Sequence, residues 1–269
     1  MQKFHTSKAL GQNFINDQSV IDDIADAARI KDTDLVIEIG PGMGALTEEL
    51  INRAGQVVAI ELDERLIPIR NAKFGMCSNF HLIHGDILKT DLSRIIEDFG
   101  TPDCSVKLLG NLPYYITTPI LMHVLEARLP VESFTIMVQK EVAERLSAGP
   151  GGRDYGAITA VVQYYAEIEY IRTVERDYFT PQPKVDSAVI RLDLRTEPPV
   201  TLKNERAYFE VVKQAFSQRR KNLGNSLTGI RGKDKVSTLA LLDRAGIDPQ
   251  RRAETLELQE FADIANCLD

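Results

Sequence analysis

The chain has 269 residues, 43% hydrophobic and 26% charged, the balance of a globular protein long enough for one large domain and one small one. Three cysteines at wide spacings, Cys77, Cys104 and Cys267, fit neither a disulfide framework nor a zinc site, and no stretch reaches the roughly 20 apolar residues of a membrane span, so a cytoplasmic protein without metal is expected. The net charge of -7 argues against a uniformly basic nucleic-acid coat, and Met1 to Leu10 contains no apolar signal core.

In chain order, Asn16 or Asp17 can cap a helix whose apolar positions Val20, Ile21, Ile24, Ala25 and Ala28 follow helical spacing. Leu35 to Ile39 reads as a buried strand, the glycine cluster 40–44 as a turn, and Leu46 to Ile51 as part of the next helix. Val57 to Ile60, Phe80 to Ile83, Val106 to Leu109 and Phe134 to Val138 give four more strands, the last leading into a helical stretch from Lys140 to Leu146. Strands alternating with helices predict an α/β fold with a parallel, doubly wound sheet. A helical or extended stretch then runs to Tyr165, and the strand-like runs Ile168 to Val174 and Ala188 to Leu194 can pair antiparallel at the sheet edge. Pro198-Pro199 reads as a linker, which divides the chain into a domain over 1–197 and a small helical domain over 198–269.

Gly40-Pro41-Gly42-Met43-Gly44, after a strand and before a helix, lets backbone approach a ligand closely. The same spacing satisfies a loose dinucleotide pattern or a plain strand-helix turn, and Glu61 at the end of the second strand suits ribose hydroxyls in either cofactor class. Two additions favour S-adenosylmethionine over NAD. Glu38 precedes the glycines, where a carboxylate can engage the methionine part, and Asp86 follows the third strand, where it can accept from an adenine amino group. Singly, Glu61 also fits a solvated acid beside Asp63 and Glu64, and Asp86 a turn residue. Features at successive strand tips, however, converge on the crevice where open parallel sheets bind ligands.

Asn111-Leu112-Pro113-Tyr114 follows the fourth strand. Alone it fits an ordinary Asn-x-Pro turn. Beside a methyl-donor site it fits amine methylation: the Asn111 side-chain oxygen and the Leu112 carbonyl accept the two N–H groups of an exocyclic amine. Pro113 fixes the turn, and Tyr114 stacks on the base. The amine's lone pair is delocalised into its ring, so positioning supplies the rate, and well-oriented systems draw about 7–11 kcal/mol from it. No strong general base is required.

The segments LGQNFIND (10–17), EIGPGMGALTEEL (38–50), AIELDERL (59–66), HGDIL (84–88), GNLPYYITTPI (110–120), QKEVAERL (139–146), FTPQPKVDSAVIRL (179–192) and FSQRRKNLGNSL (216–227) resemble, in order and over essentially the whole chain, the small-subunit ribosomal RNA adenine dimethyltransferases, the KsgA/RsmA family. The resemblance implies a Rossmann-like methyltransferase domain with a mostly parallel sheet and an antiparallel edge, plus an all-helical C-terminal domain. It implies dimethylation, by S-adenosylmethionine, of N6 on two adjacent adenosines near the 3' end of 16S rRNA, in the small subunit or its precursor. It places Asn13 and the backbone of Ile15 with Gly40, Gly42, Gly44, Glu61, Asp86 and Asn111 around the cofactor, and Phe179 as a second aromatic wall at the target base. Locally, Phe179 before two prolines equally fits a core anchor. Tyr115 stands where some members carry a smaller polar residue, and Asn222 where threonine is usual.

From Thr201 to Lys235 there are nine Lys or Arg against three acids, a net +6 that leaves -13 for the remainder. On a helix predicted from Arg206 to about Leu223, Arg206, Lys213 and Arg220 recur every seven residues opposite an apolar face of Tyr208, Val211, Val212, Ala215 and Phe216, with Arg219 and Lys221 flanking them. Such a stripe suits RNA phosphates, although charges opposite a core face are usually only solvated. Lys3, His5 and Lys8 can add phosphate contacts, while His81 and His84, three apart on a strand, make a poor metal pair. A monomer is expected. The competing readings are an antibiotic-resistance type 23S rRNA adenine methyltransferase, which shares the Asn-x-Pro-Tyr turn, a noncatalytic ribosome-assembly factor, and a DNA adenine methyltransferase.

Overall fold

A computed structural model describes residues 12–268. Lys3, His5 and Lys8 lie outside the described residues. The described chain opens on a short strand, β1 (Phe14–Ile15), and a helix, α1 (Gln18–Ala27), capped by Asp17, whose carboxylate accepts from the Ser19 N–H at 2.9 Å. Strands and helices then alternate: β2 (Leu35–Ile39), α2 (Ala45–Arg53), β3 (Gln56–Glu61), α3 (Ile67–Phe74), β4 (Phe80–His84), α4 (Leu92–Phe99), β5 (Val106–Asn111), α5 (Thr117–Ala127), β6 (Val131–Gln139) and α6 (Lys140–Leu146). All of β2 is buried, as a strand covered on both faces must be. Strands β3, β4 and β5 outrun their apolar stretches because the ladder continues through polar residues, Glu61 opposite His84 and Asn111 opposite Met137.

After α7 (Ala157–Tyr165) come β7 (Ala166–Val174), β8 (Phe179–Thr180) and β9 (Ser187–Leu194). The seven-stranded sheet runs β4-β3-β2-β5-β6-β9-β7. β2 pairs in parallel with both β3 and β5, so the winding reverses between β2 and β5 and opens a crevice at their carboxyl ends. β9 pairs antiparallel with β6, and β7 lies beyond it at the edge, so the two late strands are neighbours there. β8 pairs antiparallel with β1, setting Phe14 opposite Thr180 and Ile15 opposite Phe179.

The chain forms two compact units, and their division differs from a single cut at 197. The described residues up to Ala143 together with Glu167–Leu194 make the sheet unit. Glu144–Ala166 join the described residues from Arg195 onward in a helical unit. The reason is packing: Tyr155, Ala160 and Tyr164 are buried in the same core as Tyr208, Leu242 and Phe261, and the Tyr164 and Tyr208 rings lie 4.9 Å apart. α8 (Glu205–Ala215), α9 (Leu223–Ser226), α10 (Lys235–Arg244) and α11 (Leu258–Asn266) complete this unit.

The helix expected to reach Leu223 stops at Ala215. The Ser217 hydroxyl donates to the Gln214 carbonyl at 2.6 Å, and Asn222 starts a new helix by accepting from the Asn225 N–H at 3.1 Å. Arg206 and Lys213 therefore share α8, whereas Arg219, Arg220 and Lys221 sit in the turn beyond it, so the seven-residue stripe does not continue to Arg220.

Candidate active site

The carboxyl ends of β2, β3 and β5, with the loop after β4, line one cleft in the sheet unit. The structure brings Asn13, Ile15, Glu38, Gly40, Gly42, Glu61, Asp86, Asn111, Leu112, Pro113 and Tyr114 together along it. Gln12 and Phe14 border it as well.

Gly44 does not line the cleft. It starts α2 at φ 77°, and a Cβ there would clash with the Arg70 guanidinium and sit 2.7 Å from the Phe74 ring. Its expected cofactor contact is replaced by a packing role. Phe179 is 3% exposed, belongs to the apolar core with Val20 and Val189, and does not border the cleft either. β1–β8 pairing holds Phe179 opposite Ile15, so the core-anchor alternative describes its place here. Arg206, Lys213, Arg219, Arg220 and Lys221 are exposed residues of the helical unit.

Two buried carboxylates shape the floor. Glu38 is 2% exposed and accepts from the Thr47 hydroxyl at 2.6 Å. Burial pushes its carboxyl up to about 7, against the pull of the Thr47 hydrogen bond and the Arg70 charge. Glu61 accepts from the Asp63 N–H at 2.8 Å through Oε1 and from the Gly42 N–H at 3.2 Å through Oε2, which fixes its carboxylate plane and ties β3 to the glycine loop. Burial raises its carboxyl above the ordinary range, opposed by those backbone N–H groups. Asp86 accepts from the Leu88 N–H at 3.0 Å.

Several further residues brace the site. Asp63 accepts from Gln12 at 2.8 Å and from both ends of the Arg65 side chain, and these bonds, Arg65 foremost, hold its carboxyl down at about 2. Arg70 is buried and donates to the Met43 carbonyl, pinning the glycine loop from α3. Ser187 bonds the Tyr114 hydroxyl at 2.7 Å. Asp63 lies two residues after Glu61 in ELDERL and Gln12 lies in LGQNF, so motif position is the signal for those two. Ser187 likewise lies in FTPQPKVDSAVIRL, whereas Arg70 is brought in only by the fold.

The turn itself is over-determined. The Leu112 N–H donates to the Met137 carbonyl at 3.1 Å, and the Pro113 carbonyl accepts from the Ile116 N–H and the Thr117 hydroxyl, both at 3.1 Å. Leu112 itself borders the cleft. Asn111 Nδ2 donates to the Asn13 carbonyl at 3.0 Å, so Oδ1 is the acceptor end of that amide. Burial raises the Tyr114 phenol above its ordinary range and so favours its neutral form, against the smaller opposing pull of the Ser187 hydrogen bond. Elsewhere, His81 bonds Gln56 at 3.0 Å and stacks on Phe99, while the His84 ring lies 3.3 Å from the Leu62 carbonyl. Among the described residues no group of three His, Cys, Asp or Glu is placed to hold a metal, and no helix is long and apolar enough to cross a membrane.

A Rossmann-like sheet whose switch-point cleft carries acids after β3 and β4 and a fixed Asn-x-Pro-Tyr turn after β5 is the architecture of a methyltransferase. The family model for ribosomal RNA adenine dimethylase matches residues 2–269, and the chain belongs to that family. It is 48% identical over 268 residues to the ribosomal RNA small subunit methyltransferase A of Geobacillus thermodenitrificans, covering 98% of this chain and 92% of that protein. It is 50% identical over 266 residues to the protein of the same name from Clostridium perfringens, covering 99% and 92%. Among solved structures, a dimethyladenosine transferase from Plasmodium falciparum superposes with a TM-score of 0.79 at 25% identity, covering 93% of this chain and 95% of that one. The 23S rRNA methyltransferase ErmE superposes at 0.74 and 30% identity, covering 96% and 100%.

Membership in a methyltransferase family implies S-adenosylmethionine as methyl donor, and the cleft fits that group. Gly40 borders the cleft at φ 69°, and a Cβ built there meets nothing of the protein within 4 Å, so the loop backbone is open to the cleft. The donor set matches as well: Glu61 offers a fixed carboxylate for a ribose diol and Asp86 an acceptor for an adenine amine, while Ile39, Ile60 and Ile87 supply apolar walls. When bound, the sulfonium supplies an electrophilic methyl. The chain's own residues orient it and present an amine to it.

Proposed function

We propose that this cleft transfers two methyl groups to N6 of each of two adjacent adenosines near the 3' end of 16S rRNA, in the small ribosomal subunit or its late cytoplasmic precursor. The observation that carries the reading is the Asn111 turn: an amide oxygen and a turn carbonyl at the end of β5, fixed from three sides, beside the cofactor acids. The target amine donates one N–H to Asn111 Oδ1 and the other to the Leu112 carbonyl, which directs its lone pair at the methyl group. The N–C bond forms as the S–C bond breaks, and the alkylated nitrogen releases its proton to solvent. Tyr114, anchored through Ser187, stacks on the base.

Asn13, the Ile15 backbone, Gly40, Gly42, Glu61 and Asp86 hold the cofactor, with Glu38 at its methionine part. Arg206, Lys213, Arg219, Arg220 and Lys221 contribute phosphate contacts, which makes binding salt-dependent. The small-subunit assignment is supported by relatives of about half identity that carry that name, against 30% for ErmE. The test is transfer of tritiated methyl groups to undermethylated small and large subunits, with nucleotide mapping. Dimethyladenosine at two adjacent 16S positions is expected. Label on 23S rRNA alone would replace the assignment with the other substrate. Asn111→Ala should abolish most transfer while subunit binding stays measurable, whereas wild-type turnover would remove Asn111 from the chemistry.

A further inference from the structure

Eight large hydrophobic residues are well exposed among the described residues, and three of them, Met43 (38% exposed), Leu62 (47%) and Tyr115 (60%), border the one cleft just described. Scattered apolar side chains on a surface need no explanation, but a cluster on the rim of a ligand cleft does. Tyr115 is the most exposed of the three and the only aromatic. Its backbone is held on both sides: Tyr114 is anchored to Ser187 at 2.7 Å, and the Ile116 N–H closes the turn on the Pro113 carbonyl at 3.1 Å. A planar ring thus stands in solvent from an ordered turn, immediately after the residue that faces the target base. Single-stranded RNA is recognised largely by stacking splayed bases on such rings, and a ring on a fixed backbone loses little freedom on binding.

We propose that Tyr115 is a specificity-determining residue of the methyl-transfer site, its ring stacking on the nucleobase adjacent to the target in single-stranded RNA. Two target adenosines are neighbours in the reading above, on which this inference rests, so one platform serves whichever of the pair is not in the cleft.

The test compares wild type, Tyr115→Phe and Tyr115→Ala as full-length proteins on undermethylated small subunits, with binding of S-adenosylhomocysteine measured in parallel by calorimetry. Tyr115→Ala should raise KM for subunits and lower kcat/KM roughly 5- to 150-fold, the span of one base-aromatic stack. Tyr115→Phe, which keeps the ring, should stay near wild type, and all three should bind S-adenosylhomocysteine alike. The inference is overturned if Tyr115→Ala leaves KM unchanged, if Tyr115→Phe is as impaired as Tyr115→Ala, or if the loss tracks weaker S-adenosylhomocysteine binding. Wild-type transfer to large subunits instead would defeat the small-subunit assignment alone, and the same three-way comparison on that RNA would still decide the role of Tyr115. A wild type inert on both subunits would remove both.

Discussion

The side-chain amide of Asn111 donates to the backbone carbonyl of Asn13 at 3.0 Å, across 98 residues of chain. That bond joins the Asn111 turn to the N-terminal segment, both of which border the cleft, and it decides which end of the amide is the acceptor. Asn111→Asp keeps the size but replaces the donor with an oxygen facing another oxygen. The variant should lose at least about 100-fold in kcat, because misplacement by about 1 Å is enough to cost that much. It should also weaken cofactor binding while leaving the urea midpoint nearly unchanged. Initial rates at saturating S-adenosylmethionine and calorimetry with S-adenosylhomocysteine measure the two effects. A normal kcat would show that the N-terminal segment and the turn work independently.

Glu38 makes the stability of the protein pH-dependent in a stated direction. Its carboxyl ionises at about 7 in the folded chain, mainly because of burial, against an ordinary 4.5. The native state therefore holds this proton through the window between the two values, where the unfolded chain has released it, and stability falls as pH rises across that window. Above pH 7 the buried carboxylate opposes folding, by up to roughly 3 kcal/mol. Glu38→Gln keeps an acceptor for the Thr47 hydroxyl and removes the charge. It should be more stable than wild type at pH 8.5, with the gap closing toward pH 5. Urea unfolding at the two pH values reads this, and a gap that widens on acidification would contradict the assignment.

Two glycines of one loop should respond differently to the same substitution. Gly40 and Gly44 both have positive φ, 69° and 77°, so alanine costs about 1–2 kcal/mol of backbone strain at either. At Gly40 nothing of the protein lies within 4 Å of the added Cβ, whereas at Gly44 it meets the Arg70 guanidinium and the Phe74 ring. Gly44→Ala should thus lose a further 1–3 kcal/mol from overpacking. Gly40→Ala should lose mainly cofactor affinity, since it borders the cleft. Denaturant midpoints and S-adenosylhomocysteine affinity separate the two, and equal midpoints would exclude the packing role of Gly44.

The parts of this site legible in the sequence are those whose chemistry is local. A buried apolar run followed by glycines, then an acid at the end of the next run, marks β2, β3 and Glu61 because strand, turn and carboxylate are contiguous. Arg70 was illegible because a basic residue on a helix ordinarily faces water, and only the fold sets it behind Met43 and Gly44. Ser187 and Phe179 depend on strands pairing with distant partners, and hydrophobic period fixes neither partner nor register. The end of α8 was missed for a different reason. Arg219 to Lys221 are good helix formers, and the break comes from Ser217 and Asn222 side chains competing for backbone groups. The helical unit's extent was hidden because 144–166 leave no composition boundary, although their tyrosines belong to the tail's core.

Lys107 holds a buried ion pair away from the cleft. It lies near the amino end of β5, with its side chain and that of Asp34 each 1% exposed. Its Nζ donates to the Arg29 carbonyl at 2.6 Å and lies 3.2 Å from Asp34 Oδ2 and 3.3 Å from Glu132 Oε1. Lys107→Met fills similar space but strands the Asp34 carboxylate, whose other support is the Lys31 N–H at 2.8 Å. Breaking a buried pair from one side costs about 3–5 kcal/mol, because the partner's charge is left uncompensated. Removing both charges relieves that cost, so Lys107→Met/Asp34→Asn should recover more than half of the loss, a coupling well above the ~0.5 kcal/mol within which independent sites add. The cleft lies at the carboxyl ends of the strands, so methyl transfer per folded molecule should be unchanged in both variants. Urea unfolding of the four members of the cycle at pH 7.5 supplies the numbers, and strictly additive losses would show that the two charges do not depend on each other.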